Sequence, residues 1–374
     1  MKVITKEHEK VEYGKSKAGI VIHNFLSSFD ETFNQSSYAI FSEFFKKNEN
    51  VSKWMIFSDY VLNDKNKPND VITFSILPYS EDFERLKEKI NGLSFKDIKN
   101  LSRVNTEFLE FINKSEILNI SILIDKNMTL DPINEREALK TCYKTAINQV
   151  DYWIRNEGEN ENYLRIKKAY NVMLHEVSKQ GVNLRNIRNI EIVSNFIAYI
   201  TFQACLLLKV DIIGWFSDRD SMLTHKDGKF SMPVIFDLAY NLFHALMLSK
   251  DKDYAENFVF GLPEQTGDLW YDSFNRIPDL IAATLADYDY ENNISSHSKF
   301  FPVIENVITN KEKNLIYKIY ALENGFEAAY LTFTRQEDKM PLSECDFSAL
   351  CWHPISLALI RTYSNFAPWP KSST

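Results

Sequence analysis

Glycine is scarce in this chain, at 10 of 374 residues. Neither a Walker-type loop nor a GxGxxG stretch occurs, which excludes the glycine-rich cradles that hold nucleotide phosphates. Cysteine is scarcer still. Cys142, Cys205, Cys345 and Cys351 are too few to staple a chain of this length, so reduced thiols in a cytoplasm are expected. Positive charge is also in deficit, with a net charge of −8. That excludes coating nucleic acid through overall charge. Any such contact must come from a local basic face, or through metal ions that offset acidic ligands. Long apolar runs are missing too. The best candidate, Phe196–Leu208, is short and is followed at once by Lys209 and Asp211, which suits a buried helix better than a membrane span. The opening MKVITKEHEKVEYGKSK has no apolar signal core. A cytoplasmic protein with no membrane partner is the expectation.

Aromatic residues, in contrast, are plentiful: 27 Phe, 18 Tyr and 6 Trp can furnish a large core. Short apolar runs predict strands at Ala18–Phe25, Lys53–Tyr60, Asp70–Tyr79, Ile117–Asp125 and Val210–Phe216. The Asn-, Asp- and Pro-rich stretch Val61–Asp70 predicts a turn that makes a hairpin of the second and third. Helical patterns cover Ser80–Leu93, Glu107–Ser115, Pro132–Gln180 with a polar break at Asn156–Asn162, and Asn186–Leu208. Two more lie in PVIFDLAYNLFHALML and NRIPDLIAATLADY. The reading is an α/β protein: residues 1–131 as the first part of the core, 132–208 as a helical insertion, and 209–374 as the remainder. The segment from about Phe301 onward mixes both patterns and is not placed.

Four acids stand at or near the ends of apolar elements: Asp59, Asp125, Asp218 and Asp279. A buried carboxylate is costly unless it is paired, hydrogen-bonded or metal-bound. Carboxylates brought together from separate elements are what Mg²⁺ or Mn²⁺ needs, because hard cations take oxygen ligands. Two such ions about 4 Å apart can drive phosphodiester cleavage. An aspartate at a strand end also serves as a turn former or helix cap, and Asp220 is a neighbour that could stand in for Asp218.

The stretch FSDYVLNDKNKPNDVITFSILPY resembles the opening of the RNase H-like fold, in which a first strand carries an aspartate and a hairpin returns as the second. More narrowly, the chain is similar to uncharacterised bacterial proteins on that fold. Those have an Asp-Glu-Ser-Gly stretch on the first strand, a later strand ending in Asp-Arg, and a C-terminal helix with an Ala-Asp-Leu-Ile-Ala-like core. SDRDS and IPDLIAATLADY match the last two. The resemblance spans roughly 54–290 and implies an RNase H-like mixed sheet, with Asp59, Asp218 and Asp279 as catalytic metal ligands and Asp125 in reserve. It departs after Asp59, where Tyr60 and Val61 replace Glu-Ser, and only Glu107 or Glu110 could restore a glutamate. The implied activity is a metal-dependent nuclease acting on DNA or RNA. The Ile-, Asn- and Lys-rich composition suits bacterial defence or a mobile element. The alternatives are a catalytically inactive RNase H-like protein that binds a partner, and a toxin or effector held by one.

Other features carry weaker chemistry. Cys345, Cys351 and His353 offer soft ligands for Zn²⁺ with no fourth nearby, and a core role suits them better. His225 could serve as a general base or as an ordinary loop residue. Arg165, Lys167, Lys168, Lys179, Arg185 and Arg188, interleaved with Tyr163 and Tyr170, form the best candidate face for a phosphate backbone. Tyr170, Met173, Leu174 and Val177 are expected to face a core.

Overall fold

The computed structural model describes residues 22–80, 82–94, 96–224, 233–250, 257–263, 267, 269–323, 325–334 and 356–362. His225, Cys345, Cys351 and His353 lie outside them. The elements run α1 (Asn24–Ser36), α2 (Tyr38–Lys47), β1 (Lys53–Val61), β2 (Asp70–Pro78), α3 (Phe83–Leu93), α4 (Thr106–Lys114) and β3 (Leu118–Ile124). Then follow α5 (Glu135–Glu157), α6 (Glu161–Ser178), α7 (Leu184–Leu207), β4 (Ile212–Ser217), α8 (Val234–Ser249), β5 (Phe258–Gly261) and α9 (Asp272–Asp287). The last are β6 (Asn314–Leu322), β7 (Gly325–Thr334) and β8 (Ser356–Thr362). The eight strands among the described residues form one sheet in the order β5-β4-β1-β2-β3-β6-β7-β8. β2 runs antiparallel to both β1 and β3, and β7 antiparallel to both β6 and β8. The junctions β1–β4, β4–β5 and β3–β6 are parallel. The protein is therefore α/β with a mixed sheet.

The β1–β2 hairpin closes as its turn residues dictate. Asn63 takes φ 64°, and its amide donates to Asp70 Oδ1 at 3.0 Å. The Asn66 amide donates to Asp64 Oδ1 at 2.9 Å, an Asx turn.

Because side chains alternate across a strand, β1 feeds two cores. Trp54, Ile56 and Tyr60 enter a first core with α1, α2 and α5–α8. Met55 and Phe57 enter a second core with α3, α4, α9 and the helical turns around 300–308. The β3–β4 connection is filled by α5, α6 and α7. Each is N-capped by an asparagine, since the side chains of Asn134, Asn160 and Asn183 accept from backbone amides of their own first turns. The break between α5 and α6 falls at Gly158, whose φ of 96° ends the first helix. Tyr170, Met173 and Val177 are buried, with Leu174 packed against them. Among the described residues α7 is long and apolar enough to cross a membrane, but 83% of its apolar window is buried inside the protein.

One expectation needs correction. The strand expected at Ala18–Phe25 ends instead as helix, because Asn24 and Phe25 open α1. Phe25, Phe29 and Phe33 recur at helical spacing and pack as a stripe, the first two on Phe196 of α7. The region from 301 onward, unplaced from sequence, supplies a helical turn and then the β6–β7 hairpin.

Candidate functional site

Asp59 lies on the same face of β1 as Met55 and Phe57, the face covered by α9. Asp218 follows the end of β4 immediately. Ser58 pairs with Ser217, and the Asp218 amide donates to Ser58 O at 2.9 Å, so Asp218 stands on the rung beside Asp59. Adjacent strands run about 4.8 Å apart, which sets the spacing of the two backbones. The alternation that puts Ile213 and Trp215 in the first core puts Phe216 and Asp218 on the α9 face. α9 packs across β1 and β2 and brings Asp279 down onto this pair.

The Asp59 and Asp279 carboxyls lie within hydrogen-bonding reach of each other. Burial and then the charges of Asp279 and Asp218 push Asp59 well above the usual carboxylate range. Burial raises Asp279 too, against the Ile98 amide that donates to its Oδ2 at 2.9 Å. Burial likewise raises Asp218. All three remain partly open to solvent. Sequence reasoning placed these three acids, and the fold brings them together.

The far face locks the two strands that carry the first two acids. Tyr60 Oη lies 2.6 Å from Ser58 Oγ and 2.8 Å from Ser217 Oγ, and Trp215 Nε1 donates to Ser58 Oγ at 2.8 Å. Tyr60, which stands where a glutamate was missed, thus acts as a structural bridge on the opposite side of the sheet.

Several residues around the acids went unread in the sequence. Arg276 sits one turn before Asp279, exerts its charge on Asp279 and Asp59, and pairs with Asp97. Lys99 and Arg219 act on Asp218. The hydroxyl of Tyr271, a residue 1% exposed, lacks a hydrogen-bond partner and feels the charges of Asp272, Arg219 and Asp218. Asn275, one turn before Asp279 and buried, has neither side-chain polar atom paired. The readable signal was the helical spacing of Asn275, Arg276 and Asp279.

Other candidates are not brought in. Asp125 ends β3, separated from β1 by β2. Its carboxylate accepts from the Asn127 amide at 3.3 Å and acts on Lys318. Asp220 caps the turn at Ser221–Thr224 by accepting from the Met222 amide at 2.9 Å. Glu107 and Glu110 are exposed, the latter paired with Lys114 at 2.8 Å. The basic stretch of α6 and α7 is largely neutralised within the chain. Arg165 pairs with Asp237 at 2.7 Å, Lys167 with Asp151 at 2.6 Å, Lys179 with Glu176, and Arg188 with both oxygens of Glu135 at 2.6 Å. Arg185 acts on Asp70.

An all-oxygen set of half-buried carboxylates, two of them in mutual contact, suits a hard divalent cation. Among the described residues, no group of three or more His, Cys, Asp or Glu side chains is drawn tightly enough, as placed, to hold a metal ion. No family model, curated protein or solved structure matches the chain.

Proposed function

We propose that the chain is a metal-dependent hydrolase of phosphodiester bonds in DNA or RNA, built on an RNase H-like sheet. One observation carries this reading. Asp59, Asp218 and Asp279, from a first strand, a strand end and a helix far apart in sequence, lie near enough to act on one another's charge, each stays partly exposed, and all three carboxyls are raised. The antiparallel β1–β2 hairpin, the parallel β1–β4 pair followed by Asp218 and Arg219, and α9 packed across β1 and β2 support this reading.

Asp59, Asp218 and Asp279 would hold Mg²⁺ or Mn²⁺, which supplies charge stabilisation at the phosphoryl oxygens and a nucleophilic water at neutral pH. The chain's own groups do the rest. Ionisation of the raised carboxyls gives the site its full negative charge. Arg219, Lys99 and Arg276 set positive charge around the acids, where a phosphodiester needs it. The Tyr60–Ser58–Ser217 bridge fixes the spacing of β1 and β4, hence of Asp59 and Asp218.

The test is calorimetric titration of Mg²⁺ and Mn²⁺ into the wild type and into the Asp59→Ala, Asp218→Ala double variant, followed by cleavage assays on DNA, RNA and hybrid. Binding in the wild type, lost in the double variant, and metal-dependent cleavage are expected. No binding to the wild type overturns the reading. It would favour an inactive RNase H-like protein that binds a partner, a second reading supported by the burial that raises all three carboxyls.

A further inference from the structure

Four tryptophans fall among the described residues. Trp54, Trp153 and Trp215 are at most 1% exposed, whereas Trp270 is 47% exposed. Leaving half an indole in water forgoes apolar burial that the other three gain in full. Trp270 is nonetheless firmly held. Its ring meets Phe216, Tyr271 and Phe83 edge-on, at centroid distances of 4.9, 5.3 and 5.7 Å. Its backbone is fixed at both ends of a turn: the Leu269 amide donates to Asp272 Oδ2 at 2.8 Å and the Asp272 amide to Leu269 O at 3.1 Å.

The support beneath it is also specific. A methyl group on Gly214 would lie 2.6 Å from the Phe216 ring, and one on Gly261 would clash with the same ring. The two glycines let Phe216 lie across β4 and β5 and brace Trp270.

This aromatic face sits beside the acids. Phe216 precedes Asp218 by two residues on the same face of β4, a separation of about 7 Å. Tyr271, the next residue after Trp270, turns a buried, unpartnered hydroxyl into the field of Asp218. Arg219, which acts on Asp218, donates to the carbonyl of Gly267 in the loop that carries Trp270. A rigid half-exposed aromatic face, with cations and carboxylates alongside, is the pairing that seats an unpaired base while its backbone crosses charged groups. The bases of a duplex are already stacked on their neighbours and offer no free face to such a ring.

Resting on the hydrolase reading above, we propose that the substrate is single-stranded nucleic acid, and that Trp270 seats a base by stacking next to the Asp59–Asp218–Asp279 cluster. The test is fluorescence anisotropy of the full chain, with Ca²⁺ in place of Mg²⁺. The probes are a labelled fifteen-nucleotide oligo(dT) strand and the duplex it forms with oligo(dA). Each stacked base contributes about 1–3 kcal/mol, so Trp270→Ala should weaken single-strand binding on the order of 5- to 150-fold. Duplex binding should change less than about 2-fold, and Trp270→Phe should keep most of the single-strand affinity. An unchanged melting temperature for Trp270→Ala checks that the effect is local.

Wild type that binds and cleaves nucleic acid, with Trp270→Ala equal to it on single strands, overturns the stacking role and leaves the hydrolase reading standing. Wild type that binds neither probe overturns both. Ile212, Val259 and Leu262 are also exposed along β4 and β5. If Trp270→Ala instead turned a dimer into a monomer at full single-strand affinity, this face would be a contact between copies and the proposal would fall.

Discussion

A carboxylate taken out of water needs a partner for each oxygen, and Asp237 has a partner for only one. Arg165 Nε donates to its Oδ1 at 2.7 Å, while Oδ2 is buried and unpaired. Burial outweighs the guanidinium and raises Asp237 to about 6. The native state therefore holds a proton that the unfolded chain releases near pH 4. The stability from this group is complete below that point and is lost as pH rises through about 6. Replacing Asp237 by Asn removes the cost of ionisation. It should stabilise the protein by about 1–3 kcal/mol at pH 7.5, with the advantage shrinking toward zero by pH 4. Arg165→Met should do the opposite, costing about 3 kcal/mol at pH 7.5 by stranding the buried charge. Urea unfolding of both variants across pH checks the signs. A pH-independent gain for Asp237→Asn would show that the carboxylate is not protonated in the native state.

At the scale of an element, the same substitution changes sign with its neighbours. Gly214 lies in β4 between β1 and β5, beneath the Phe216 ring, and Gly214→Ala must push that ring aside. Overpacking of this kind costs about 1–3 kcal/mol. Gly92 lies in α3 with nothing near its missing side chain, so Gly92→Ala should stabilise by about 0.5–1 kcal/mol through helix propensity alone. Denaturation midpoints at constant slope measure both, and equal effects would mean that the Phe216 ring does not rest on Gly214. Local context also decided which elements the sequence disclosed. β1 to β4 are mostly apolar runs, β1 to β3 bounded by turn formers, so they could be read directly. β6 and β7 carry Lys318 and Glu327 within their pattern, and the buried Lys318 feels Asp125 only because β3 and β6 pair. β5 is a four-residue edge strand, too short to stand out. The three converging acids were legible because each terminates or interrupts an apolar element. Asp125 shares that signal and fails, because strand order, invisible in the sequence, puts β2 between it and Asp59. Trp270 and Tyr271 gave no signal at all, since their role depends on Phe216 crossing two glycines from different strands.

Across the whole molecule the sheet is the shared member. Successive residues of one strand serve opposite cores, so neither layer can leave without exposing half the side chains of every central strand. The first core contains Ile197 of α7 and the second contains Leu285 of α9, and each is at most 1% exposed. Truncation at either site should cost about 2–5 kcal/mol. If the layers are coupled through the sheet, Ile197→Ala and Leu285→Ala will each lower the midpoint of one urea transition with its slope unchanged. Far-UV circular dichroism and tryptophan fluorescence should then coincide. Because the two sites lie on opposite faces with no shared neighbours, the double variant should lose the sum of the single losses to within about 0.5 kcal/mol. Two transitions, one shifted by Ile197→Ala and the other by Leu285→Ala, would instead show that the helical layer unfolds separately. In that case the acids, held on strand positions that the helical layer braces through Tyr60, Ser58 and Ser217, could lose their geometry before the second core melts.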